Sequence, residues 1–216
     1  MKTTINKAYL AATTFICLIP IAMYLLVYDR LPENMAQQWG IDGSANWSMS
    51  RQWAIFVLPA LLAIVHIFVI FVTHNDPKRS GTSKAMQHFI YWIIPVTSLF
   101  TNIVVLFANL GADFDVGAVT LVFVGLIFFV VGNYLPKNRQ NYTVGLRLPW
   151  TLNDADNWNK THRLAGWLFM ICGAIFILVA VLPLSGTALI ILLAATIGFC
   201  VVVPSVYSFV LHKRAR

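Results

Sequence analysis

Charge is what this chain has least of. Only 11% of its 216 residues are Asp, Glu, Lys or Arg, against 59% hydrophobic, and mean hydropathy is +0.75. So little polar surface does not cover a water-soluble globule, which excludes the ordinary soluble classes. The eight acids and fifteen bases all fall in loops or tails. No ionised group therefore interrupts an apolar run, and coupled transporters normally place such groups inside the bundle. Cysteine is also scarce: Cys17, Cys172 and Cys200 lie inside apolar runs, without metal-ligand spacing or a disulfide framework, and are read as small packing residues. No Ser/His/Asp spacing, zinc-type cluster or glycine-rich phosphate loop is present, so no catalytic residue, metal ligand or cofactor is assigned. No basic run exceeds Lys213-Arg214, so the net charge of +7 is not read as a nucleic-acid footprint.

What is there is apolar length. A hydrocarbon core of roughly 30 Å needs about 20 apolar residues in helical form. Six runs approach or exceed that: Tyr9–Tyr28, Trp53–Val72, Phe89–Leu110, Val116–Val131, Gly166–Leu184 and Thr187–Val210. They lack the alternation of a β-barrel, so the expected fold is all-α, a polytopic membrane protein of six transmembrane helices forming one integral membrane domain over residues 1–216. The first run exceeds a signal-peptide core and ends in Tyr28-Asp29-Arg30-Leu31-Pro32 without a small-residue cleavage site, so it is read as a retained span. Pro20, Pro59, Pro95, Pro183 and Pro204 are expected to kink helices. His66, Asn102 and Asn109 are the notable polar residues within spans, and hydrogen bonding to a neighbouring helix is the default role for His66.

The bases that do occur are distributed unequally. Thirteen fall in the two termini and the second and fourth connections, and two in the remaining three connections. The positive-inside rule then puts both termini in the cytoplasm.

Two polar segments carry the functional expectations. The outer one, residues 29–52, opens on Leu31-Pro32 and contains a turn signal at Asp42-Gly43. Trp39, Trp47 and Trp53 suit the headgroup level. This segment is read either as an ordered loop lying on the helix ends or as the surface that meets a partner arriving from outside.

The inner segment, residues 132–166, is a polar island between two apolar runs. Leu135-Pro136 and Leu148-Pro149 dictate extended backbone before each proline, and Gly145 permits positive φ. Thr151-Leu152-Asn153-Asp154 fits the Ser/Thr-x-x-Asp/Glu start signal, with Asn153 an alternative cap. An interfacial helix is expected from near Asn153, with Asp154 and Asp156 in its first turn and Ala155, Trp158, His162 and Ala165 on one face, feeding into the fifth span near Gly166. Asp154 and Asp156, two apart, point to different faces and do not form an acid–base pair. Lys137, Arg139, Arg147, Lys160 and Arg163 suit phosphate contacts, with Asn133, Asn141 and Thr161 as neutral partners. Arg147, held between Gly145 and Pro149, either binds a carboxylate or phosphate through a bidentate fork or pins the loop by pairing with Asp154 or Asp156. His162 is either a proton carrier or a packed ring, the latter weighted more heavily.

The inner segment carries, in order, Gly132-Asn133-Tyr134-Leu135-Pro136-Lys137, Asn141-Tyr142, Gly145-Leu146-Arg147, Pro149-Trp150-Thr151-Leu152, Trp158 and Thr161-His162-Arg163. On these residues it resembles the SdpI family of bacterial toxin-immunity membrane proteins. Leu148 departs from it, standing where the family usually has Thr. The outer segment resembles the family's extracytoplasmic segment more loosely, through Leu31-Pro32, Gly43 and Trp47, while Gln38 stands where His is frequent. The resemblance implies immunity against a secreted antimicrobial peptide toxin by non-catalytic binding, with the peptide toxin and membrane lipids as partners. It also implies possible signalling through an ArsR-like repressor held at the membrane, without direct contact with nucleic acid. The alternative reading is a membrane enzyme or lipid-binding protein that modifies the envelope.

The thirteen-to-two asymmetry predicts opposite labelling: a cysteine placed at Ser44 reacts with an impermeant maleimide in intact cells, and one at Lys137 reacts only after permeabilisation. Labelling of both from one side refutes the six-span arrangement.

Overall fold

In a computed structural model of the protein, residues 5–214 are described; Lys2 and Arg216, two of the inner bases, lie outside them. The described residues form helices α1 (Lys7–Leu26), α2 (Arg51–His74), α3 (Lys84–Asn109), α4 (Val116–Tyr134), α5 (Pro149–Asn153), α6 (Ala155–Val179) and α7 (Gly186–Arg214). A hairpin of β1 (Asn34–Trp39) and β2 (Ala45–Ser50) joins α1 to α2. All helices but α5 are long and apolar enough to cross a membrane. Contacts gather into two units: residues 1–74 with 87–116, and residues 75–86 with 117–216.

In the first unit, α1 starts where the Asn6 side chain accepts from the Tyr9 amide at 3.1 Å. Along its length it is tied to neighbours by hydrogen bonds between apolar stretches. His66 of α2 lies 3.0 Å from the Thr13 hydroxyl, Ser98 of α3 donates to Cys17 O at 2.9 Å, and the Tyr24 hydroxyl donates to Asn102 at 3.1–3.2 Å. Without water these groups have only each other, although one such bond contributes on average just about 0.6 kcal/mol because the separated helices also find partners. His66 thus has the interhelical role expected of it. Near the hairpin, Tyr24, Leu31, Met35, Ala54, Ile55, Val105 and Leu106 form the apolar core.

The hairpin is the departure from an all-helical chain. Asp42-Gly43 makes the expected turn, with Gly43 at φ 76° and Asp42 Oδ1 accepting from the Ser44 amide and hydroxyl. Those two bonds lower the Asp42 pKa, because both donate to the charged form. The flanking strands, NMAQQW and ANWSMS, are rich in polar residues and lack β-branched side chains, so intrinsic propensity gives little sign of them. Tertiary contacts hold them instead. The Asn109 amide accepts from Ala36 N–H at 2.8 Å and donates to Ala36 O at 2.9 Å, substituting for a third strand. Met35 is fully buried, worth about 1.5–3 kcal/mol as transferred apolar surface.

In the second unit, α4 and α6 approach through an antiparallel seam of glycines. Gly125 faces Gly173 and Gly132 faces Gly166, at intervals of seven residues on both helices. A methyl group on Gly132 would lie 2.6 Å from Gly166 O, and one on Gly166 would lie 2.7 Å from Gly132 O. Backbone therefore meets backbone, the arrangement small residues permit between membrane helices. Beside the seam, Leu168, Cys172 and Phe176 pack with Cys200 of α7, and Phe128 stacks on Phe169 at 5.2 Å. The cysteines serve as packing thiols, Cys200 donating to Leu168 O.

Several expected boundaries shift, among them those of the third span, which starts at Lys84 rather than Phe89, and the sixth, which runs on to Arg214. The first helix stops at Leu26, and Tyr28–Arg30 form a 3-10 turn. The fifth span ends at Val179, which leaves Pro183 in the following connection, where it kinks no helix. The helix expected from Asn153 starts at Ala155 and continues unbroken to Val179, with Asp154 as its cap, accepting from the Asp156 and Asn157 amides. Of the expected face, Trp158, His162 and Ala165 are buried, whereas Ala155 is exposed.

The seam predicts that Gly132→Ala and Gly166→Ala each lower stability by about 1–3 kcal/mol, because no flexible side chain yields to the methyl. Gly198→Ala, which meets nothing within 4 Å, should leave it unchanged within about 0.5 kcal/mol. Reversible unfolding in mixed micelles measures all three; equal effects would refute a close-packed seam.

Candidate functional site

The signature segment folds as a scaffold of side chain-to-backbone hydrogen bonds. The chain leaves α4 through the turn Leu135–Lys137, in which Leu135 is buried. Buried Asn138 then holds three neighbours: its Nδ2 donates to Tyr134 O, its Oδ1 accepts from the Ser83 amide, and its carbonyl accepts from Trp158 Nε1 at 2.9 Å. The Arg139 amide donates to Gly81 O at 2.8 Å, so the connection between α2 and α3 lies directly against the segment. Gly81 is needed there because a Cβ would come 3.0 Å from Arg139 O.

Two side chains, Asn141 and Asp76, organise the stretch from Tyr142 to Val144. Asn141 Oδ1 accepts from the Thr143 and Val144 amides at 3.1 and 2.7 Å, closing a tight turn. Asp76 accepts from the Lys78 amide at 2.8 Å through one oxygen, and from the Tyr142 amide and Thr143 hydroxyl at 2.9 and 2.7 Å through the other. A carboxylate 7% exposed is tolerated because such charge-assisted bonds replace its water. Sequence reasoning did not single out Asp76. Its local signal was Asp76-Pro77, a turn-forming pair, but its partners in the signature segment lie more than sixty residues away.

Gly145 adopts φ 119°, and its missing side chain makes room for His162: an added Cβ would collide with the ring. His162 is fully buried, stacked on Trp158 at 3.9 Å between centroids. Its Nε2 accepts from the Leu146 amide at 3.0 Å and its Nδ1 faces Trp158 O at 2.8 Å. An amide donor and a carbonyl acceptor on opposite nitrogens fix the neutral tautomer with the proton on Nδ1. His162 is therefore a packed ring with both nitrogens hydrogen-bonded. Thr151 completes the cluster: its hydroxyl accepts from the Leu148 amide at 2.9 Å and donates toward the Leu146 carbonyl at 2.8 Å. Thr151 thus stabilises the start of α5, with Pro149 in the first turn, and Asp154 takes the cap of α6.

The other expected residues are arranged around this cluster. Pro136 packs over Gly166. Asn133 accepts from Lys137 Nζ at 3.3 Å, and the Tyr134 ring lies 4.9 Å below the same ammonium. Trp150 packs on Phe209 and His212 of α7, its buried Nε1 without a partner. Thr161 donates to Asn157 Oδ1, which also accepts from Ser208 of α7 at 2.6 Å, while Asn157 Nδ2 donates to Ser208 O. This clasp between α6 and α7, through Asn157 and Ser208, was not foreseen. Arg147 is exposed and donates to Tyr142 O at 3.0 Å. It forms neither expected pair: Asp154 caps the helix and Asp156 pairs with Lys160 at 2.7 Å. Arg163 is exposed.

The outer segment belongs to the first unit. Leu31 is buried, and Pro32 follows the 3-10 turn into β1. Arg51 fixes the base of the hairpin: its Nη1 donates to Tyr28 O and Leu31 O at 2.9 Å, with its guanidinium 4.1 Å above the Tyr28 ring. Beyond that anchor the tip is open. Ile41 and Trp47 are 56% and 51% exposed there, and Trp53, in the first turn of α2, is 65% exposed, while Trp39 packs against the core.

Asp76→Ala removes the acceptors of the Tyr142 amide and Thr143, each charge-assisted bond contributing about 1.5–3 kcal/mol. The expected outcome is exchange of the 142–144 amides at least about tenfold faster by hydrogen–deuterium mass spectrometry. Unchanged exchange would show that the segment is held by something else.

Comparison with known proteins agrees with this division of the chain. Residues 137–208 match the model of the SdpI/YfhL protein family, which takes in the signature segment from Lys137 and most of α6 and α7. Residues 15–63 match a domain of unknown function, DUF1648, which takes in the hairpin. The chain is 23% identical over 190 residues to "Immunity protein SdpI" of Bacillus subtilis (strain 168), across 88% of this chain and 89% of that protein. No solved structure matches. The signature residues, the six spans and similarity along most of the length show a multi-pass plasma-membrane protein that is similar to the SdpI/YfhL family.

Proposed function

We propose that the protein confers immunity on a bacterial cell by binding a secreted peptide toxin at its outer face, without catalysis. The observation that carries this reading is similarity to Immunity protein SdpI along 88% of the chain. The geometry adds a reason to assign engagement to the hairpin. Arg51 and Asn109 hold its base rigidly, while Ile41 and Trp47 present apolar surface toward its open end. A rigid hairpin with exposed aromatic groups binds an apolar peptide at low entropic cost. The segments on that face hold Asp29, Glu33, Asp42, Asp113 and Asp115 against Arg30 and Arg51, so the toxin best suited is apolar and cationic.

The inner signature segment supports a different part of the same reading. Its polar groups are largely occupied in holding one another, and His162 has both ring nitrogens engaged. Such a scaffold suits stable presentation of a surface, which in this reading is where an ArsR-like repressor docks when the toxin is bound. Arg147 and Arg163, exposed on that surface, are the side chains proposed to meet it.

Stoichiometric binding makes tolerance rise in proportion to the amount of protein in the membrane and fail once toxin exceeds it. A catalyst or pump protects at far lower copy number, since each molecule acts repeatedly. Titrating expression against toxin dose distinguishes them, and Trp47→Ala should lower tolerance by about tenfold as a buried aromatic anchor does. Full protection at a large molar excess of toxin, unaffected by Trp47→Ala, would refute the binding model.

A further inference from the structure

The second unit contains a cleft of about 640 Å³ whose lining includes Lys78, Ser80, Lys137, Arg139 and Asn159. None of its lining residues is acidic. The nearby carboxylates are committed elsewhere: Asp76 to the Lys78 and Tyr142 amides and the Thr143 hydroxyl, Asp154 to the cap of α6, and Asp156 to Lys160. Two of the cations are positioned by neutral groups rather than by carboxylates. Lys78 Nζ donates to Gln140 Oε1 at 3.0 Å and lies 4.8 Å from the Tyr142 ring centre, and Lys137 Nζ is held by Asn133 and Tyr134. Beneath them the backbone is stiff. Pro77 and Pro136 lie in the walls, and the Arg139 amide is bonded to Gly81 O, so the cleft exists before any ligand arrives.

We propose that this cleft binds the phosphate of an anionic phospholipid. Three positive charges around a prebuilt polar hollow match a phosphate in charge and hydrogen-bonding capacity. Depth argues for a lipid as its source. Lys137 follows the apolar helix α4 by three residues, and Tyr134 and Tyr142, whose rings lie beneath the two ammonium groups, are of the type that settles at the headgroup level. Basic pockets beside transmembrane helices on the positively charged side are suited to anionic headgroups. This site is independent of the hairpin and of toxin binding. The lipid's single negative charge relieves the repulsion among the three cations and thereby braces the connection between α2 and α3 against the signature segment.

The test uses the full-length protein in neutral detergent, with native mass spectrometry reading bound dioleoylphosphatidylglycerol against dioleoylphosphatidylcholine. The wild type should prefer the anionic lipid by at least about tenfold. Each charge removed should weaken binding roughly fivefold, so the Lys137→Gln/Arg139→Gln double variant should lose on the order of 25-fold. Both side chains are exposed, and the Arg139 amide bond to Gly81 does not involve the side chain, so the variant keeps its fold. A Lys213→Gln/Arg214→Gln control outside the cleft should bind as the wild type does. Equal binding of the two lipids, or equal binding by the double variant and the wild type, overturns the proposal. Displacement of phosphatidylglycerol by millimolar inorganic phosphate assigns the cleft to soluble phosphate compounds and overturns the lipid assignment.

Discussion

The fold of the signature segment depends on one imidazole keeping a lone pair. His162 Nε2 accepts the Leu146 amide, and it does so only while the ring's proton is on Nδ1, where Trp158 O receives it. The ring is stacked on Trp158, whose own Nε1 is spent on Asn138 O. Gly145 must lack a side chain for the ring to reach Leu146 at all. Three residues that look like separate features of a motif are thus one object. Removing the ring leaves the Leu146 amide without its partner, adding a Cβ at Gly145 displaces the ring, and replacing Trp158 frees both the stacking face and Asn138 O. Protonation has the same consequence as deletion, since a second N–H cannot accept the amide.

Around that object the protein uses asparagine as a substitute for backbone. A carboxamide offers one acceptor and two donors without charge, so it pairs with both sides of a peptide where no strand or water is available. Asn109 does this for Ala36 of the outer hairpin, Asn138 for Tyr134 and Ser83, Asn141 for Thr143 and Val144, and Asn157 for Ser208. Charged residues would meet the same geometry only at a desolvation cost near the membrane. Asp76 is the exception, and three donors surround it. The scarcity of charge seen in the composition and the repeated use of carboxamides are therefore two sides of one constraint.

That constraint explains what was legible in the sequence. The spans were, because apolar length is a local property; their ends differ by a few residues, except at α6. There the polar face of residues 155–165 hid a helix continuous with the fifth span, since Asn157, Trp158, Thr161 and His162 are buried by tertiary partners rather than by their own hydrophobicity. Asp42-Gly43 announced a turn, but the strands beside it depend on Asn109, more than fifty residues away, and on a buried Met35. The signature residues were legible as a set through their resemblance, whereas their roles were not. Arg147, the most suggestive by chemistry, makes a single bond to Tyr142 O at the surface, and Asp76, silent in the sequence, organises the segment from below. The glycine seam was present as two pairs seven residues apart, but its meaning appears only when Gly125 and Gly132 face Gly173 and Gly166.

The hairpin and the signature segment consequently have different physical characters. The anchored base of the hairpin ends in exposed apolar surface, which is costly to leave in water and gains by meeting a partner. The signature segment has spent most of its hydrogen-bonding capacity on itself, and what it leaves open is charge, gathered in the cleft of Lys78, Lys137 and Arg139. Apolar surface recruits by area and discriminates weakly; unpaired cations recruit by sign and are screened by salt. In the proposed reading an incoming peptide is met by one kind of force while the signature segment is seated by another, so variation in the hairpin tip need not disturb that seating.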